Sequence, residues 1–161
     1  MSTFRGLNEI VKMPVNEKVE LRIIMFDQPT HSSLKLLFNL PSGQSVRFET
    51  SEIVATPFTG ERVIIARIES IRANYIVDGV GSPRYLNTNE ELEGASYQYK
   101  AQFGSLVTVP RGFEIETEFP ARLPDHFRIR IPSMRVAGKV VSFPELEFRR
   151  KTGSAYQGSP P

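Results

Sequence analysis

The row Glu114, Glu116 and Glu118 is where this sequence comes closest to a reactive centre. Carboxylates two residues apart on a strand project to the same side. Three of them could offer oxygen ligands to calcium, or two could divide the work of glycoside hydrolysis. A short loop later stand Arg128 and Arg130, which could neutralise the carboxylates without any metal. Phe113, Ile115, Thr117 and Phe119 alternate with the glutamates, and Phe127, Ile129 and Ile131 alternate with the arginines. An antiparallel hairpin around Pro120 to Asp125 with Phe119 opposite Phe127 would put both apolar rows on one face. It would set Glu118 opposite Arg128 and Glu116 opposite Arg130 on the other. A slip of one residue would bury carboxylates at several kcal/mol each, whereas each cross-strand ion pair adds about 0.2–1 kcal/mol. Cross-strand ion pairing of Glu116, Glu118, Arg128 and Arg130 is therefore the expected role of this region.

The remaining chemistry is sparse. There are no cysteines, which excludes a disulfide framework, a thiolate metal site and a cysteine nucleophile. The two histidines, His31 and His126, do not form the i, i+4 pair of a helical zinc site, and no serine stands in a Gly-x-Ser-x-Gly elbow. Asp78-Gly79-Val80-Gly81-Ser82 contains Gly-x-Gly but not the third glycine or the helix of a dinucleotide fingerprint, so it reads as a turn. Arg111-Gly112-Phe113 matches the start of an RNA-recognition strand. Ile115 and Glu118 then occupy positions that should be aromatic, and glutamates along that strand would repel phosphates. No catalytic residue, metal ligand or cofactor site is assigned. Tyr85, Tyr97 and Tyr99 remain as rings that could stack on a sugar or other extended ligand. Arg149, Arg150, Lys151 and Tyr156 remain as candidates for partner contact.

The elements that would position these residues follow from periodicity. Phe4, Leu7, Ile10 and Val11 have helical spacing before Pro14. From Lys18 to Asp27 the residues Val19, Leu21, Ile23 and Met25 alternate with Glu20 and Arg22, as in a strand with one face on a core; Ile24 and Phe26 suggest cover on both faces farther along. Leu34 to Leu40 continues as a strand, Pro41-Ser42-Gly43-Gln44 as a turn, and Val46 and Phe48 complete a meander. Glu61 to Tyr75 fits a helical stripe, but its β-branched residues favour a strand. Asp78 to Gly94, with Gly79, Gly81 and Pro83, reads as a long connection with a helical turn at Asn89 to Leu92. Strand signals return at Tyr97 to Phe103 and Leu106 to Val109, and Ala137-Gly138 as a tight turn.

These strands, punctuated at roughly ten-residue spacing, predict an all-β fold: an antiparallel β-sandwich of jelly-roll or immunoglobulin-like type, or an open barrel, with at most one or two short helices. The expected organisation is a single β domain over 1–151 and a Gly/Ser/Pro-rich C-terminal tail over 152–161. At 161 residues the chain can bury roughly 70% of its unfolded surface. Its 40% hydrophobic and 24% charged residues are those of a globular chain rather than a disordered one. No apolar run matches a signal peptide or a membrane span, so a cytoplasmic location, or a particle assembled in the cytoplasm, is expected. The net charge of +2 conceals a basic C-terminal quarter: from Ala121 onward there are 8 Arg or Lys against 3 Asp or Glu. The reading that fits best is a non-enzymatic structural or assembly protein, a homo-oligomer or a subunit of a larger complex, with a virion or phage-particle component as one form. A glycan- or ligand-binding module and a hydrolase with a dispersed site are the alternatives. Nucleic acid and membrane are not expected partners.

Overall fold

The computed structural model describes residues 10–60, 62–77, 80–150 and 156–159. The strands in chain order are β1 (Ile10–Pro14), β2 (Glu20–Asp27), β3 (Ser32–Leu40), β4 (Ser45–Phe48), β5 (Glu52–Pro57), β6 (Ile64–Arg67), β7 (Ile71–Val77) and β8 (Val80–Leu86). They continue as β9 (Leu92–Glu93), β10 (Ser96–Lys100), β11 (Leu106–Glu118), β12 (His126–Arg130), β13 (Met134–Val136), β14 (Lys139–Val141), β15 (Leu146–Arg150) and β16 (Tyr156–Ser159). A three-residue 3-10 turn, Gln102–Gly104, is the one helical feature among the described residues. No helix there is long and apolar enough to cross a membrane.

Every strand pairing among the described residues is antiparallel, and they build three sheets, none closed into a barrel. The first has the order β1-β2-β3-β11-β7-β8, with β10 also beside β11; the second is β16-β15-β12-β5-β6; the third is β14-β13-β4-β9. The fold is all-β and sandwich-like. Alternation decides what enters its core. Val11, Met13, Leu21, Ile23, Leu36, Phe38, Phe113 and Ile115 of the first sheet are buried in one cluster with Ile53, Phe127, Ile129 and Phe148 of the second and Val46, Phe48 and Met134 of the third. Phe38 stacks on Phe113 at 5.2 Å within its sheet and meets Phe48 of the third sheet edge-on at 6.2 Å. Such pairs add about 0.5–1.5 kcal/mol beyond their buried area.

The apolar rows of Phe113–Phe119 and Phe127–Ile131 face the core, but the hairpin that was to join them does not form. β11 lies beside β3, with Glu116 opposite Lys35 and Glu118 opposite Ser33. β12 lies in the second sheet, with Arg128 opposite Glu147 and Thr56, and Arg130 opposite Val54. The segment Phe119 to Asp125 crosses between layers, anchored by the buried Phe119 and Leu123. The expected pairs Glu118–Arg128 and Glu116–Arg130 are therefore absent. Period-two alternation fixes the face of a side chain, and any antiparallel neighbour with the same pattern satisfies it equally well.

Other expectations change in similar ways. Ile10 and Val11, expected in a helix, belong to β1; Phe4 and Leu7 lie outside the described residues. Glu61 to Tyr75, Glu61 itself being outside the described residues, divides into β6 and the start of β7. The supposed long connection contains β8, which pairs along its whole length with β7. Asn89 to Leu92 is not helical: Glu90 N donates to Asn87 O in a turn, and Leu92 enters β9. Ile24 and Phe26 are half-buried on the outer face of the first sheet rather than covered on both sides. Within the C-terminal stretch, Tyr156–Ser159 forms β16 on the edge of β15.

Candidate interaction site

β11 is 13 residues long, about 40 Å at strand rise. Its last eight residues pair with β3, and its first five pair with β10. β10 carries on along the line of β3, and β7 reaches β11 only at Phe113 and Glu114. Between Leu92 and Phe113 no described residue is buried. The β10–β11 pair is thus a two-stranded ribbon that leaves the layered core. A ribbon with no core contact needs other support, and Arg111 supplies it. Its guanidinium lies 4.1 Å from the Tyr75 ring of β7 and 5.7 Å from that of Tyr97 on β10. Its Nε donates to Tyr97 Oη at 2.9 Å and its Nη1 to the Glu93 carbonyl at 2.8 Å. Arg84 of β8 lies 4.7 Å over the same Tyr75. This ladder of cations and rings ties the foot of the ribbon to the β7–β8 hairpin.

At the tip, Ala101 N donates to Ser105 O at 2.7 Å and Gly104 N to Ala101 O at 3.1 Å. Phe103 and Gly104 turn the chain with φ of 74° and 83°. Glycine takes that left-handed region freely, whereas an ordinary L-residue spends about 1–2 kcal/mol there. Phe103 is nevertheless 96% exposed, and Leu106 beside it is 74% exposed. The tip therefore combines backbone strain with two uncovered apolar side chains. No sequence signal beyond Phe-Gly next to a strand marked it, because the exposed ring looks like any other core phenylalanine in the pattern.

The structure separates most of the other candidates. Tyr85 is 69% exposed, but it stands opposite Arg72 on the outer face, while Tyr97 stands opposite Val109 on the inward-facing side with Arg111. The two rings point to opposite faces and do not make one stacking surface. Tyr99 pairs with Val107 in the ladder, and its side chain lies outside the described residues. Arg150, expected on a partner surface, points inward to Asp27. Lys151 and the Tyr156 side chain lie outside the described residues.

Several of the ionic groups that could do chemistry are partnered within the molecule. Glu114 takes Lys35 at 2.9 Å and Arg72 at 3.7 Å. His126 Nε2 meets Glu147 Oε1 at 2.6 Å while its ring stacks on Phe58 at 3.6 Å. Arg149 lies 3.3 Å from the same carboxylate. The hydrogen bond from His126 holds the Glu147 carboxyl below its ordinary range, against desolvation that raises it and with help from Arg149. His31 lies 3.1 Å from the Thr30 hydroxyl through Nδ1 and 3.6 Å from Glu118 through Nε2. The second distance is too long for a hydrogen bond and Glu118 is largely exposed, so the imidazole is held by Thr30 and not by the carboxylate. Among the described residues no three His, Asp or Glu gather to hold a metal.

Comparison with protein-family models, curated proteins and solved structures finds no match. Outside the ribbon, the exposed large apolar residues among those described are Ile10, Phe58, Val63, Ile65, Tyr85 and Val140, and Val63 and Ile65 stand two residues apart. Val63 and Ile65 lie at β6, the edge strand of the second sheet, where Val54 stands opposite Ile65; the Phe58 ring is already taken up by His126 and by the Arg128 guanidinium 4.2 Å away.

Proposed function

We propose that this chain is a non-catalytic assembly protein that associates with copies of itself by packing the ribbon tip, Phe103 and Leu106, against the Val63–Ile65 edge of a neighbour. The observation that carries this reading is Phe103: an aromatic residue almost wholly exposed and held in left-handed backbone. An uncovered ring at a strained position gains nothing for the isolated fold, and burial in a partner would return about 1.5–3 kcal/mol. Tip and receiving edge are different patches, so the contact is head-to-tail and builds rings or filaments rather than a closed two-fold dimer. A particle subunit of the virion or phage kind is one form such a protein takes.

Sedimentation velocity over a range of concentrations tests this. Wild-type chain should shift to higher mass as concentration rises. Phe103→Asp with Leu106→Asp should remain monomeric with unchanged thermal unfolding, since neither side chain packs in the fold. Ile65→Asp should also stay monomeric. A wild-type chain that is monomeric up to about 1 mM, where contacts worth only about 4 kcal/mol begin to show, would sink the reading.

A further inference from the structure

The outer face of the first sheet carries an ionic arrangement that the fold does not explain. Lys12 of β1 stands directly opposite Arg22 of β2. Like charges placed opposite one another on adjacent strands repel, and natural sheets usually put a carboxylate in one of the two places. Here neither side chain makes an ion pair or hydrogen bond with any described residue, and the same holds for the Lys18 ammonium. These three cations line one depression of about 570 Å³, together with Ile10, Asn39 and Thr108. Glu20 is the one carboxylate in that lining. The depression forms because β10 continues the line of β3 past Pro41, so that β1 and β2 on one side and the foot of the ribbon on the other rise around the end of β3.

We propose that this depression binds a small polyanion carrying two or more phosphate or sulfate groups. Three cations against one carboxylate leave two charges to be neutralised. An arginine offers paired donors to an oxyanion and the lysines offer point charges, while the Asn39 amide and Thr108 hydroxyl add neutral donors. The volume exceeds what one phosphate fills and falls within the range of small-ligand sites. No aromatic ring lines it, so it has no platform on which a nucleic-acid base would stack. The repulsion between Lys12 and Arg22 is then a cost to the free protein that the bound anion removes. This site lies away from the ribbon tip and from the β5–β6 edge, and its occupancy does not depend on self-association.

The two consequences, binding and repulsion, are tested together. In amide-resolved NMR titrations with inorganic tripolyphosphate and with sulfate, shifts should saturate and centre on Lys12, Arg22, Asn39 and Thr108. Tripolyphosphate should bind at least about tenfold more tightly than sulfate, as expected for several charges engaged at once. Lys12→Glu should abolish binding and, in the free protein, raise Tm by about a degree or more, because it turns a like-charge pair into an ion pair. Arg22→Gln should weaken binding at least about tenfold by removing the paired donor. Shifts that remain unsaturated at about 10 mM, where affinity is too weak to matter, would overturn the proposal. So would shifts of equal size around Arg67 and Arg149 on the second sheet, or a lowered Tm in Lys12→Glu.

Discussion

Asp27 is a side chain through which the first and second sheets are tied by charge. It ends β2, and only 3% of its side chain is exposed. Arg122, in the segment that crosses from β11 to β12, donates to it twice, through Nε at 3.0 Å and Nη2 at 2.9 Å. Arg150, the last residue of β15, adds a third contact and uses its Nη2 to bind the Leu123 carbonyl at 2.9 Å. One carboxylate thus links the first sheet, the crossing segment and the second sheet. A buried pair of this kind adds little net stability relative to a well-packed apolar substitute, but breaking it from one side strands a charge. Asp27→Asn is therefore expected to cost about 2–3 kcal/mol in urea unfolding, since Arg150 would stay inside with only the exposed Asp125 carboxylate left to balance it. A loss below about 1 kcal/mol would mean that solvent reaches the guanidinium and the network is a surface feature. The sequence offered no sign of this: Arg150 sits among the basic residues of the C-terminal quarter and reads like any of them.

At the scale of the element, Gly94 decides how the ribbon leaves the core. It follows β9 and precedes β10, and its N–H donates to Gln44 O at 2.8 Å. Ala95 N then bonds Leu40 O at 3.1 Å, and Arg111 N bonds Ala95 O at 2.8 Å. A Cβ on Gly94 would lie 2.0 Å from the Pro41 carbonyl oxygen and 2.9 Å from those of Leu40 and Gln44. All three are backbone atoms, so no side chain can rotate aside. Gly94→Ala should cost roughly 2 kcal/mol or more in denaturant unfolding and shift the amide signals of Ala95 and Arg111, because the turn after β3 must move. A near-neutral change would show that the turn gives way freely. The sequence made Gly94 look like one more loop glycine. Periodicity did make β2, β3, β4, β11 and β12 legible, since each has one face on the core and alternates accordingly. It failed on β8, where Gly81 and Pro83 suggest a loop. An edge strand tolerates a proline because one side of its backbone needs no ladder partner, and β8 is such an edge. Partner choice was hidden for a related reason: β3, with Leu34, Leu36 and Phe38 in the core, matches β11 as well as β12 would have.

For the whole molecule, the question is what keeps its sheet edges from pairing at random. Residues 152–161 lack the apolar side chains to form a core, yet four of them close the second sheet as β16, with Tyr156 opposite Arg150 and Ser159 opposite Glu147. Without this strand, β15 would present free N–H and C=O groups along a segment whose Leu146 and Phe148 already fill the core. That is a template for an added strand from another chain. Removing residues 151–161 should therefore separate stability from association. The lost ladder bonds are exposed and each is worth about 1 kcal/mol, so unfolding should shift by only a few kcal/mol at most. Association should change more, and in a different manner from the ribbon contact. Made in the Phe103→Asp, Leu106→Asp background, where the tip no longer docks, the truncated chain should still form high-mass species in static light scattering. Those species should grow with time rather than reach equilibrium, because edge pairing has no closing geometry. If the truncated double variant stays as monomeric as its full-length parent, β16 is not an edge guard, and the Arg149 and Glu147 charges on β15 are enough to prevent strand addition.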